Sequence, residues 1–423
     1  MTLSLFELAT IRASRIVQPC GNSYRNQMVS LREICRHTNG IQTGPFGSQL
    51  HAHEYQTQGI PVIMPRDLVD GGISEAVIAR ISPEVSQRLS RHRVEVGDIV
   101  LARRGEIGRC ALIKPENAGW LCGTGCLRVR LVGDVLPEFV FRLIAAEENT
   151  RWLQQNAVGA TMLNLSATIL GRLPLSLPPL PEQRRIVEIL DEADAAVRMT
   201  EALIAAKLKH KRAWAEQLLT GNARFPEFAG EVWHETKLGT VLRESRTPAK
   251  TSHPGARLTV RLHTEGVEAR KDRGTEVEEA TVYYERRAGQ LIYGKQNLHR
   301  GAVGIIPERL DGYSSSQDVP AFDWQPSGDP DFFLHYFSWK PFYERLERLA
   351  TGTGSKRIHP AAFLSVSLHI PALAEQQKIA EVLSLMDEEI ALRRRQLTAL
   401  KAQKQGLMQK LLTGEVRVKE FAP

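Results

Sequence analysis

The chain has 423 residues, enough for two or three domains, and its 55 Lys and Arg against 48 Asp and Glu give a formal net charge of +7, a mild bias toward polyanions. No apolar run reaches the roughly 18 residues of a membrane span, and residues 1–21 lack a signal-peptide core, so neither insertion nor export is expected and the location is cytoplasmic. The five cysteines (Cys20, Cys35, Cys110, Cys122, Cys126) all lie in the first half; an odd number so placed is no disulfide framework, and reduced thiols are expected.

Taken in order, residues 1–25 form an N-terminal segment and residues 26–157 a first β-rich block. Its turn-bounded apolar runs predict strands at 61–64, 98–102, 110–113 and 126–131 and a helix over 139–155. Residues 43–49 (TGPFGSQ) are a glycine-punctuated loop able to bring backbone amides close to a ligand. Thr43, Gly44, Phe46, Gly47, Ser48 and Gln49 are therefore candidates, although Phe46 could equally fill the core. Residues 97–108 place Arg103 and Arg104 at the end of a buried strand. Cys122 and Cys126 flank a Gly-Thr-Gly turn, with His51 and His53 as further donors, but the spacing fits no common zinc pattern. The second half has no cysteine, so no metal site is assigned.

Residues 158–221 carry a long helix and 222–231 a linker, after which residues 232–350 form a second block. Strands are predicted at 258–262, 291–293 and 302–306 and a helix over 331–349. Here 289–297 repeats the pattern of 97–108: a turn glycine, a buried strand and a polar loop carrying Lys295, Gln296 and Asn297, followed by Arg300. Arg suits guanine O6 and N7, while Asn and Gln suit adenine N6 and N7; any of these residues could equally hold phosphate. Residues 352–357 (GTGSKR) lack the Gly-Lys-Ser/Thr order of a nucleotide loop, which leaves Ser355, Lys356 and Arg357 as candidate DNA contacts. Residues 351–414 contain the second long helix, and 415–423 are a tail.

Residues 178–221 (PPLPEQRRIVEIL…LLTG) return without a gap at 371–414 (PALAEQQKIAEVL…LLTG), an internal repeat. Proline at the entrance, no internal proline and a closing Thr-Gly predict one uninterrupted helix of about 35 to 40 residues in each copy. The second copy begins with two fewer prolines, which weakens its entry signal without moving its register. Steps of four and three give a seam of Ile186, Leu190, Ala193, Val197, Thr200, Ile204, Lys207, Lys211, Trp214 and Leu218. The other copy supplies Ile379, Leu383, Met386, Ile390, Arg393, Leu397, Leu400, Lys404, Leu407 and Leu411. Burying each aliphatic seam residue is worth about 1.5 to 3 kcal/mol, and the nearest partner is the other copy. The expected fold is α+β: two mixed, β-rich blocks separated by two long helices packed as an antiparallel coiled coil, with a pseudo-twofold internal repeat.

TGPFGSQL at 43–50, GDIVLARRGEIGR at 97–109, the PPLPEQRRIVEIL helix start, LLTGNARFPEF at 218–228 and the second AEQQKIAEVL and LLTG together resemble the specificity subunit of type I restriction-modification systems. The resemblance implies two target recognition domains, each reading one half of a split, asymmetric site on double-stranded DNA. It also implies that the helices set the unread spacer and dock two methyltransferase subunits, which restriction subunits can join. S-adenosylmethionine, ATP and Mg2+ would then be bound by other subunits and no cofactor by this chain. The residues agree that the chain is no catalyst by itself, having no Asn-Pro-Pro-Tyr/Phe or Asp-Pro-Pro-Tyr run and no Walker lysine motif. The alternatives are a coiled-coil scaffold with protein-binding blocks, or the specificity subunit of a related methyltransferase-nuclease system.

Overall fold

Short apolar runs closed by turn residues become strands buried on both faces, as at Ile99–Ala102, where all four residues are buried. The computed structural model describes residues 17–19, 27–159, 163–249, 254–271, 282–352 and 356–418. The chain divides into two units, Met1–Thr200 with Gln396–Pro423 and Glu201–Arg395, so the division falls within the long helices rather than at their ends.

In the first unit an antiparallel sheet runs in the order Cys110–Leu112, Ile99–Ala102, Cys126–Val129, Ile41–Thr43. The second unit repeats it strand for strand: Val303–Ile305, Leu291–Tyr293, Ala321–Trp324, Leu242–Ser245. Entry and exit of each block are also paired, Gln27–Ser30 with Pro174–Leu177 and His234–Lys237 with Ser367–Ile370. Each pairing delivers the chain into a long helix. The first unit adds a second sheet, Leu121–Cys122, Ile60–Ile63, Ala79–Ile81 and Tyr55–Gln56.

The long helices are Leu180–Leu219, of 40 residues, and Leu373–Thr413, of 41, each about 60 Å long at 1.5 Å per residue. Both end at a glycine in the left-handed region, Gly221 at φ 74° and Gly414 at φ 77°, the conformation that caps a helix without a Cβ clash. The loss of two prolines leaves the second start unchanged, because side chains anchor both starts. Gln183 Nε2 donates to the Pro178 carbonyl at 2.9 Å while its Oε1 accepts from Leu136 N at 3.0 Å. Gln376 does the same with the Pro371 carbonyl and Asp329 N, both at 3.0 Å.

Within the first unit Ile186, Val187 and Leu190 share a core with Leu411 and Leu412, and Lys404 Nζ meets Asp194 Oδ1 at 2.5 Å. Within the second, Leu218 and Leu219 share a core with Ile379 and Leu383. There Lys207 meets Glu389 at 2.7 Å and Lys211 meets Asp387 at 2.5 Å. In each unit the start of one helix lies beside the end of the other, so the helices run antiparallel. Ile204, Ile390 and Leu400 are buried, and Val197, Met386, Leu397 and Leu407 half-buried, along the seam. Trp214 departs from it: it is 40% exposed, and its Nε1 donates to His210 Nε2 one turn back at 2.8 Å. The neighbouring Ala215 packs against the core instead.

The helix expected over 139–155 is two helices, Pro137–Ala145 and Glu147–Asn156, broken where Ala146 is extended at ψ 143°. Asn149 Nδ2 takes the Leu143 carbonyl at 2.8 Å, and Glu147 and Glu148 open a fresh first turn where negative charge is favoured. The helix expected over 331–349 breaks likewise at Trp339 into Pro330–Ser338 and Lys340–Arg345. Pro341, with no N–H to give the preceding turn, explains that break. No helix among the described residues is long and apolar enough to cross a membrane.

Candidate nucleic-acid interface

One end of the first unit's sheet gathers three loops. Gly44 N donates to the Cys126 carbonyl at 3.0 Å and Arg103 N to the Gly125 carbonyl at 2.8 Å, which ties residues 43–49 and 103–109 to the Gly-Thr-Gly turn between the two cysteines. Thr124 Oγ1 donates to the Pro45 carbonyl at 2.7 Å. Gly44 must be glycine, because a Cβ there would stand 1.9 Å from the Gly123 carbonyl oxygen.

Phe46 does not fill the core. It is 57% exposed, beside exposed Gly47 and Ser48, while half-buried Gln49 accepts from Phe46 N at 3.4 Å. An aromatic ring held out on a glycine-flanked loop is suited to stacking on a base or sugar. Arg104 is exposed, whereas Arg103 is half-buried and gives its Nε to Asn164 Oδ1 at 3.1 Å. Burial, then the charge of Arg104, pulls the Arg103 guanidinium below its ordinary pKa. Leu165 N donates to the Arg103 carbonyl at 2.9 Å. Asn164 and Thr124 carry no local sequence signal for this role, because only the tertiary fold brings them to these loops.

The second unit repeats these tethers with other side chains. Ile358 N donates to the Lys295 carbonyl and Lys295 N to the Asp318 carbonyl, both at 2.9 Å. Arg357 Nε lies 3.4 Å from Asp318 Oδ1 and Lys356 Nζ 3.0 Å from Glu347 Oε1, so both basic side chains already face carboxylates. Ser355 lies outside the described residues. Gln296 and Arg300 are exposed, and Asn297 turns the loop by accepting Arg300 N at 2.9 Å. The left-handed pair His263 and Thr264, at φ 55° and 60°, is pinned to this loop through the Arg300 and Gly301 carbonyls, at 2.9 and 2.8 Å.

Cys122 and Cys126 are buried in the sheets, and burial pushes the Cys122 thiol up to about 12; both sit in apolar surroundings rather than as thiolate donors. Among the described residues no group of three or more His, Cys, Asp and Glu side chains is placed to hold a metal ion.

Fold and site together define a duplicated reader on a helical scaffold, with one loop framework carrying different polar residues in each copy. The chain belongs to the type I restriction modification DNA specificity domain family, whose model matches residues 26–210 and 277–402. It is 24% identical over 395 residues to an assigned MjaX type I restriction enzyme specificity subunit of Methanocaldococcus jannaschii, covering 85% of this chain and 88% of that protein. To the MjaVIII specificity subunit of the same organism it is 25% identical over 77% of each chain. The fold matches the HsdS subunit of Thermoanaerobacter tengcongensis with TM-score 0.52 and 18% identity, over 93% of this chain and 99% of that one. It also matches a chain from a study of complex assembly and conformational transition in the type I system, with TM-score 0.58 and 18% identity over 94% and 100%.

Proposed function

We propose that this chain is the DNA sequence-specificity subunit of a type I restriction-modification complex. The observation that carries the reading is the repeated loop framework: Arg103 and Lys295 stand at matched strand ends, each with its carbonyl bonded to the segment before a long helix, inside a chain of the specificity family. Each block reads one half of a split site on double-stranded DNA. The antiparallel helices set the unread spacer and present a docking surface to two methyltransferase subunits, with restriction subunits joining that complex. Exposed Met199, Leu203, Leu385 and Leu392 on the long helices support such a surface, since apolar side chains in water favour a partner. The chain has no catalytic role of its own. S-adenosylmethionine, ATP and Mg2+ are used on the other subunits, in the cytoplasm.

The test is co-expression with the cognate methyltransferase subunit, followed by mass measurement and mapping of methylated adenines. A complex with two methyltransferase copies and a bipartite motif is expected. Arg104→Ala should relax only one half of that motif and Gln296→Ala only the other, each loss of a bidentate base contact costing about 1 to 3 kcal/mol of discrimination. Uniform weakening with unchanged preference would demote these residues to phosphate holders. A chain that ignores the methyltransferase and binds another protein through its blocks would favour the scaffold alternative.

A further inference from the structure

Away from those loops the first unit holds a cleft of about 570 Å3 lined by Arg36, Arg91, Arg93, Arg128 and Arg130, with Glu95 the one carboxylate among its described lining residues. It sits at the other end of the same sheet. Cys126 pairs with Ala102 near the loops, whereas Val129 pairs with Ile99, and Arg130 reaches Asp98.

Arg128 forms the floor and is only 2% exposed. Its Nη1 donates to the carbonyls of Arg91 and Arg93, both at 2.9 Å, and its Nη2 to the Asn39 carbonyl at 3.0 Å and Gln42 Oε1 at 2.8 Å. Those acceptors are neutral, and they tie the cleft walls to one buried charge. The nearest carboxylate, Asp98, stands 3.9 Å from Arg128 Nε and is held by both nitrogens of the Arg130 fork at 2.8 and 2.7 Å. Glu95 is shared between Arg130 at 2.6 Å and Arg36 at 3.9 Å. Arg91 and Arg93 also have neutral partners, His92 Nε2 and Ser86 Oγ, both at 3.0 Å. Positive charge therefore exceeds negative in a walled space, and burial holds the Arg128 pKa below its ordinary value.

The remaining lining includes Thr38, Asn39 and Ser90, the hydroxyl and amide groups that join arginine in holding phosphate oxygens. The core of a protein interface, although it also favours Arg, is built on aromatic anchors, and no aromatic side chain is among the described lining residues of this cleft. Ile99 opens the strand that ends at Ala102 and Arg103 follows it, a span of four residues or about 13 Å at 3.3 Å per residue. That span is close to the roughly 12 Å width of the major groove. Loops over base edges thus put the cleft near the phosphates bordering the groove. At the matched positions the second unit carries no such arginine pair: Ala321 pairs with Ile292 as Arg128 pairs with Val100, and Asp323 accepts from Gln290 at 2.7 Å where Arg130 meets Asp98.

We propose that this arginine cleft holds the phosphodiester backbone of the duplex whose bases the first block reads, an anchor with no counterpart at the matched positions of the second block. The proposal rests on the DNA-reading function above. Its test uses the assembled methyltransferase complex carrying Arg36→Gln and Arg91→Gln, both exposed positions, against the target duplex and one with the first half-site scrambled, over about 50 to 200 mM salt. Expected are a roughly tenfold loss of affinity for both duplexes alike, a salt slope shallower by about 1 to 2, and an unchanged methylated motif. Unaltered affinity and slope would overturn the proposal. So would weakened assembly with the methyltransferase in the absence of DNA, which would give the cleft to an acidic protein surface. If the wild-type complex fails to discriminate the two duplexes, the reading function itself fails; if it discriminates and the variant matches it, only the cleft does.

Discussion

Two buried glutamates mark the repeat at the residue scale. Glu375, 1% exposed, receives both fork nitrogens of Arg224 at 2.9 and 2.6 Å and the Trp233 indole N–H at 3.0 Å. Glu182 receives the fork of Arg417. Each glutamate opens one long helix and each arginine follows the end of the other, so the matched pairs clasp helix start to helix end within a unit. The glutamates were visible in the sequence as matched identities; the arginines stand at matched places after LLTG, a signal that the aligned helices alone did not reveal. Glu375→Ala would leave the half-buried Arg224 fork and the buried Trp233 indole N–H without their acceptor, and is expected to lower the denaturation midpoint clearly. Arg395→Ala on the exposed helix face should change stability by less than about 0.5 kcal/mol. Urea denaturation of both variants checks the contrast, and equal midpoints would show that the clasp contributes nothing.

Between elements, the short helix after each sheet is latched to a long helix by chemistry that differs between units. In the first, Arg142 bridges Asp191 and Asp194, and Lys404 completes the set. In the second, His335 stands in the place of Arg142, 3.1 Å from Ser384 Oγ and 3.8 Å from Asp387, which Lys211 holds. Burial first, then Lys211, lowers the His335 pKa to about 4, opposed by Asp387 and Asp329. A histidine depressed below its unfolded value near 6.5 leaves the unfolded chain binding the extra proton between the two, so stability is full above about pH 6.5 and falls as pH drops toward 4. The His335→Gln variant should remove a stability change on the order of 2 to 3 kcal/mol from that window. His92, also lowered to about 4, keeps its own contribution. Denaturation midpoints at a series of pH values measure this, and parallel profiles for variant and wild type would refute it.

On the scale of the whole chain, each long helix runs through the division at Thr200 or Arg395, so its length is the natural ruler for the proposed spacer. One heptad inserted after Ile204 and one after Leu397 would preserve the seam and add about 10 Å. That is the rise of about three base pairs at 3.4 Å, with roughly a third of a turn of duplex. The methylated motif should keep both half-sites while its gap changes, or activity should vanish. Efficient methylation at the original gap would mean that the helices do not set the spacing.

The long helices, their antiparallel seam and five of the eight strands in the two matched four-stranded sheets were legible in the sequence because periodicity and end signals are local, and burial follows them directly. The breaks at Ala146 and Trp339 were less so, since an apolar stripe continues across each break and only a side-chain bond or a proline two residues on decides it. Trp214 and Phe46 show the opposite limit: both are large and apolar, yet each stands out because a neighbour, Ala215 or Gly44, takes the close approach instead. The sequence by itself determined that one scaffold occurs twice and which strand-end loops differ. Tertiary structure alone decided that Thr43–Gln49, Arg103 and the Gly123–Gly125 turn converge, and that five arginines from three separate segments wall one cleft. Both depend on sheet register, which brings together residues that no local pattern connects.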